Sequence, residues 1–225
     1  MAARTIPLFP LPLVLFPGVT LPLHIFEHRY RRMLADCQAG DRQFGVVSCP
    51  TGTEERSLPS GHVGCIAGID DVVMLPDGRS NITVRGGERF SLERFVQSPL
   101  PYHVGEVSAH ADVSEPEAPL ADLATQVREA FTRVVRAART ISGERADAPA
   151  LPADPALLAF GIASMIDLDI AARQHLLASR SPTERLREIG TLLDTAVGNL
   201  EERAATHERA RTNGRGTGSQ PGHAT

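Results

Sequence analysis

The chain has 225 residues and a formal net charge of −4, a size that holds one or two domains with enough core to fold without disulfides or a metal. That balance, with a pI near 6.1, disfavours nucleic acid as the main partner, because phosphate backbones reward clustered basic charge. All 23 basic side chains are arginine, which excludes a P-loop lysine, a Ser-Lys dyad and a Schiff-base lysine from this sequence.

Residues 6–30 read IPLFPLPLVLFPGVTLPLHIFEHRY. Prolines at 7, 10, 12, 17 and 22 break the apolar run, so it cannot cross a membrane as a helix and is expected to be buried as short strands and turns. The same prolines argue against a signal peptide. Cys37, Cys49 and Cys65 form no C-x-x-C pair and read as reduced core thiols of a cytoplasmic protein. Phe26, Tyr30, Met33, Leu34 and Cys37 then follow one helical stripe, stopped by Gly40. After a loop at about 50–61, Val63, Cys65, Ala67 and Ile69 alternate as a half-buried strand until Asp70-Asp71, where a bulge or turn is expected.

Asp77-Gly78 reads as the next turn. Ile82 and Val84 must share a buried face, and so must Phe90 and Leu92, so a three-residue loop at Gly86-Gly87-Glu88 is expected to pair Val84 with Phe90 and Ile82 with Leu92 in a bulged hairpin. Residues 62–96 would then form an antiparallel meander, followed by a strand at 102–109. The first part, 1–112, is thus expected to be a β-rich, partly closed barrel folded around the first helix.

The second part, 113–207, reads as a bundle of four helices, giving an α+β protein. Leu120, Leu123, Val127, Phe131, Val134, Val135, Ala138 and Ile141 line a long helix ended by Gly143. Asp154-Pro155 and Asp169 cap the next two helices. Ser181-Pro182-Thr183-Glu184 is a capping box for the last, whose apolar face runs from Leu186 and Ile189 to Leu200. Residues 208–225 offer little to bury and are expected to be a disordered tail.

Few side chains suggest chemistry. His24-x-x-Glu27-His28 matches the inverted zinc-peptidase signature, which needs both histidines on one helix. Because 22–24 reads as a strand end, the helix begins inside the motif, and a surface His28 with a half-buried His24 is the simpler reading. Ser164 sits within a helix rather than at a strand-to-helix elbow. Asp70-Asp71 fits a solvated turn better than a cation site. Arg89 fits a structural ion pair better than a ligand contact. No cofactor or metal is expected. For binding, two surfaces offer themselves: an open sheet edge, and the start of the first helix, where Leu23, Phe26, Glu27, His28 and Arg31 could border a partly covered apolar groove.

The opening segment, Gly45, Gly64, Asp77-Gly78 and Gly86-x-x-Arg89-Phe90 together resemble the amino-terminal substrate-binding domain of Lon proteases. In the helical half, Arg173-Gln174-His175-Leu176-Leu177 and the stretch 182–186 carry the same resemblance, which spans about residues 5–200. It implies a PUA-like β subdomain on a helical subdomain, without ATPase or peptidase modules. It also implies an ATP-independent, noncatalytic protein-binding role, adaptor or chaperone-like, toward unfolded or hydrophobic segments, with a separate protease or chaperone as a further partner. The alternative is a hydrolase or zinc peptidase using His24, Glu27 and His28.

Overall fold

The computed structural model describes residues 3–142 and 149–213. Six strands form one sheet: β1 (Arg4–Leu11), β2 (Thr20–Ile25), β3 (Gln43–Ser48), β4 (His62–Met74), β5 (Ser80–Val96) and β6 (His103–Ala109). Their order is β2-β5-β4-β3-β1-β6, and β6 also pairs with β5. Five strands therefore close into a ring, and β2 is added outside it on the first half of β5. All pairs are antiparallel except β1 with β3.

The ring has two buried faces. Ile6, Leu8, Val47, Ile66, Phe90, Leu92 and Val107 fill its interior. Gly45 and Gly64 are needed there, because a methyl group on either would run into the Phe90 ring. The outer face carries Phe9, Phe44, Val46, Val63, Cys65, Ala67, Ile69, Ile82 and Val84 into a larger core shared with the helices. Residues 63–67 of β4 are consequently buried on both faces, not half-buried as their alternation suggests.

The same geometry removes the expected hairpin at Gly86-Gly87-Glu88. β5 runs through these residues unbroken, with one extra residue opposite β4, since Ala67 pairs with Gly86 but Cys65 with Arg89. That bulge flips the face, so Ile82 and Val84 point to the outer core and Phe90 and Leu92 to the ring interior. The premise of a single buried face fails because a closed ring buries both. Gly86 serves close approach here: Gly18 N donates to its carbonyl (2.8 Å), it donates to Val19 O (2.9 Å), and a Cβ would strike the Phe16 carbonyl. Residues 62–96 are thus one long hairpin turned at Gly78, whose φ is 78°. A register shift falls between Ile69 and Asp71 as expected, and Asp70 pairs with Arg85 at 3.0 Å.

Helix α1 (His28–Ala39) buries Tyr30, Met33, Leu34 and Cys37 and ends at Gly40. Phe26 precedes it and leaves the expected stripe, with 59% of its surface exposed. The helical half comprises α2 (Glu117–Ser142), α3 (Pro155–Ala163), α4 (Ile170–Ala178) and α5 (Pro182–Asn213). Asp154 caps α3 by accepting from Ala156 N at 2.9 Å. Asp169 caps α4 by accepting from Ala172 N at 2.7 Å. At α5, Ser181 Oγ accepts from Glu184 N (3.1 Å), but the carboxylate at this end is Glu115, which accepts from Thr183 N at 3.0 Å and from both hydroxyls. Only half of the expected capping box forms.

In the bundle α2, α3 and α5 pack together, and α4 touches α3 and also lies against β4, where Gln174 Nε2 donates to Val63 O at 2.8 Å. Phe16 stacks on Phe160 of α3 with centroids 5.4 Å apart, so sheet and helices share one core. The last helix continues to Asn213, beyond residue 207, where the tail is expected to begin. Gly143, residues 214–225 and the side chains of Ile141 and Leu200 lie outside the described residues. No helix among the described residues is long and apolar enough to cross a membrane.

Candidate binding groove

Where β2 hands over to α1, Ile25 is the last strand residue and His28 the first helical one. Glu27 has extended backbone, and its carbonyl accepts from Tyr30 N (3.1 Å) and Arg31 N (2.9 Å). Phe26 therefore has neither a sheet face nor a helix face to bury it. Its ring rests on that of His24, centroids 5.9 Å apart. Beside it opens a groove of about 360 Å³, walled by residues 9–12 at the end of β1, the 23–27 junction, and the loop at 49–55. Phe9, Leu11, Leu23, Ile25 and Phe26 make much of its lining apolar.

One wall is charged. Arg29 Nε donates to Glu27 (2.9 Å) and both Nη atoms donate to Glu55 (2.6 and 2.7 Å). The guanidinium carbon lies 4.4 Å over the Tyr30 ring, and His103 Nε2 is 2.6 Å from Glu55. Hydrogen bonding from Arg29 above all, then from His103, holds the Glu55 carboxyl below its usual range. The Tyr30 hydroxyl is buried beside Glu55 with no well-formed hydrogen bond among the described residues; burial first, then the Glu55 charge, keeps the phenol neutral. Burial likewise raises the Cys49 thiol in the opposite wall, away from the thiolate that nucleophilic chemistry requires. Burial thus favours the neutral form of both the phenol and the thiol.

Of the residues expected to bind, Leu23, Phe26 and Glu27 line the groove. His28 and Arg31 are exposed on α1 outside it, and Arg31 lies over the Gly78 turn. His24 is exposed on β2 rather than half-buried, and its Nδ1 sits 2.7 Å from Asn81 Oδ1. His24 and His28 thus stand on different elements. Among the described residues, no three His, Cys, Asp or Glu side chains gather where a metal could be held. Sequence reasoning missed Glu55, hidden in a stretch that reads only as a loop, and with it the clamp on Arg29.

Arg89 belongs to a second cluster, whose arginines are buried. Its Nη1 donates to the Leu177 and Ser179 carbonyls, both at 2.6 Å, and its Nη2 to Asp112. Arg185 grips both Asp112 oxygens (2.6 and 2.8 Å), donates to Ser179 O and Ala156 O (2.9 Å each), and lies 4.4 Å over the Phe160 ring. The expected structural ion pair is part of a network joining β5, the connecting segment and α5.

The chain matches the family model of the ATP-dependent protease La (LON) substrate-binding domain over residues 5–195. It is 29% identical over 206 residues to Lon protease of Cytophaga hutchinsonii, covering 89% of this chain and 25% of that protein. It is 32% identical over 209 residues to Lon protease 2 of Herpetosiphon aurantiacus, with the same coverage. The chain therefore spans about a quarter of the length of these relatives. Among solved structures, a Lon N-terminal domain protein from Xanthomonas campestris superposes with a TM-score of 0.58 at 28% identity, covering 83% of this chain and 96% of that one. The N terminal domain of Mycobacterium avium complex Lon protease gives 0.62 at 20% identity, over 85% and 98%, and shares the fold.

Proposed function

Because the chain belongs to the LON substrate-binding domain family, we propose that it is a noncatalytic module that holds unfolded or hydrophobic protein segments, and that the groove between β2, α1 and the 49–55 loop is where it holds them. The observation that carries this reading is Phe26: a large aromatic, 59% exposed, at the mouth of an apolar groove. Exposed aromatics beside a partly apolar cleft are typical anchors of recognition, since burying such a ring on binding contributes about 1.5 to 3 kcal/mol. The Glu27–Arg29–Glu55 clamp fixes the wall behind it, so an occupant meets a shaped surface.

In the cell this reading makes the protein a cytoplasmic, ATP-independent adaptor or chaperone-like holder, delivering segments to a separate protease or chaperone. Fluorescence anisotropy with labelled fragments of an unfolded protein tests it directly. Binding without nucleotide and without cleavage is expected, and Phe26→Ala should weaken it about tenfold. Failure of any unfolded fragment to bind would remove the proposal.

A further inference from the structure

Outside the ring, β2, the first half of β5 and the end of β4 form a three-stranded flap with two free edges. Among the described residues β2 pairs only with β5, and β3 leaves β4 after the Gln43–Gly68 pair, with Arg42 still meeting the N–H and carbonyl of Ile69. The main-chain hydrogen bonds fix which groups each edge offers. Leu75 N donates to Arg79 O at 2.8 Å, so by alternation Val73 and Asp71 turn their main-chain groups to β5, while Val72 and Met74 turn theirs away from it, with no strand paired there among the described residues. On the other side, Gly86 N donates to Val19 O, which sends Leu21, Leu23 and Ile25 toward β5 and leaves Thr20, Pro22 and His24 facing outward.

The two edges are therefore unequal. β2 presents a proline at the middle of its open side, the usual protection of an edge against strand addition. β4 presents two complete amide units and no proline. It also exposes Val73 by 52% and Met74 by 74%. Register rows Val73–Asn81–His24 and Asp71–Thr83–Pro22 share one face of the flap. On that face, Asp70 is neutralised by Arg85, whereas Asp71 takes part in no ion pair among the described residues.

We propose that the open edge of β4 at Val72 and Met74 receives an extended segment of unfolded polypeptide as an added strand, with an apolar side chain opposite Val73 and a lysine or arginine two positions away, opposite Asp71. Main-chain bonds to Val72 and Met74 supply the attachment, and the cross-strand pairs at Val73 and Asp71 supply the preference. This rests on the reading of the protein as a holder of unfolded segments and adds a second contact surface to the groove.

The test uses the full chain and two short synthetic peptides of alternating valine and serine, identical except that one valine is replaced by lysine in the first and by glutamate in the second. Amide exchange at Val72 and Met74 should slow at least about tenfold with the lysine peptide, which should bind more tightly than the glutamate peptide. Asp71→Lys should reverse that order. Met74→Pro removes an outward donor without touching the ladder to β5 and should weaken binding about tenfold. Protection confined to the groove, or an unchanged order in Asp71→Lys, overturns the edge proposal and leaves the groove reading intact. If Met74→Pro fails to fold, the exchange map and Asp71→Lys decide. Absence of binding by both peptides and by unfolded protein fragments removes both.

Discussion

The molecule uses the same pair of chemical groups in two places to different ends. At the junction of sheet and helices, Arg89 and Arg185 close on Asp112 with side chains only 4% and 0% exposed. At the groove, Arg29 closes on Glu27 and Glu55 with about a third of its side chain in water. The junction has two guanidiniums for one carboxylate and makes up the difference with three main-chain carbonyls. The groove has two carboxylates for one guanidinium and faces solvent. Burial makes the first a structural tie, because a charge left unpaired there has no water to turn to. Exposure leaves the second free to shape a surface that something else can cover.

The sharpest way to break this comparison is to make the same change in both places. Asp112→Asn strands two buried guanidiniums and should cost about 3 to 5 kcal/mol of stability, read from urea denaturation. Glu55→Gln removes an equivalent carboxylate and should cost about 1 kcal/mol or less. Equal losses would mean that the groove clamp is as structural as the junction.

Gly86→Ala probes the contact that seats the bulge and should cost about 1 to 3 kcal/mol, because the Phe16 backbone cannot move aside as a side-chain tip could. The expected readout is a lower Tm.

pH separates the two sites by window. His110, whose Nε2 bonds to Ala178 O at the junction (2.8 Å), is lowered from 6.5, chiefly by burial. The unfolded chain then takes up a proton before the folded one, so stability is full above about 6.5 and declines as pH falls from there through the lowered folded value. Glu55 is lowered from 4.5, so its contribution is full above about 4.5 and is lost as pH falls further. His110→Gln should lessen the first decline, which His62, also lowered by burial, shares, and Glu55→Gln should lessen the second, which Asp36 and Glu115 share, in denaturation curves taken across pH.

The smallest effect on stability belongs to Phe26→Ala, within about 0.5 kcal/mol, because the ring is mostly in water already. Its effect should appear in binding instead. A large loss of stability with unchanged affinity would move Phe26 from the groove to the core.

Much of the fold was legible in the sequence because its signals are local. The Asp154 and Asp169 caps, the α1 stripe from Tyr30 to Cys37, the Asp77-Gly78 turn and the irregularity at Asp70 each depend on neighbours within a few residues. The hairpin expected at Gly86 went wrong through an assumption about the whole: alternation reports that side chains are buried, not which of two cores receives them. The groove was half legible. Leu23, Phe26 and Glu27 lie in one short segment, but Glu55 reaches Arg29 across 26 residues.

By itself, the sequence determined most of the elements, the Asp154 and Asp169 caps, the stop of α1 at Gly40, the α+β class, and the lack of any lysine-based chemistry within this chain, since all of these follow from residue type and short-range spacing. Only the tertiary structure decided that the strands close into a ring with two cores, that Arg89 meets Asp112 and Arg185, and that Arg29 meets Glu55. Such meetings are set by how the backbone returns on itself, and side-chain identity constrains that return only once the whole core is assembled.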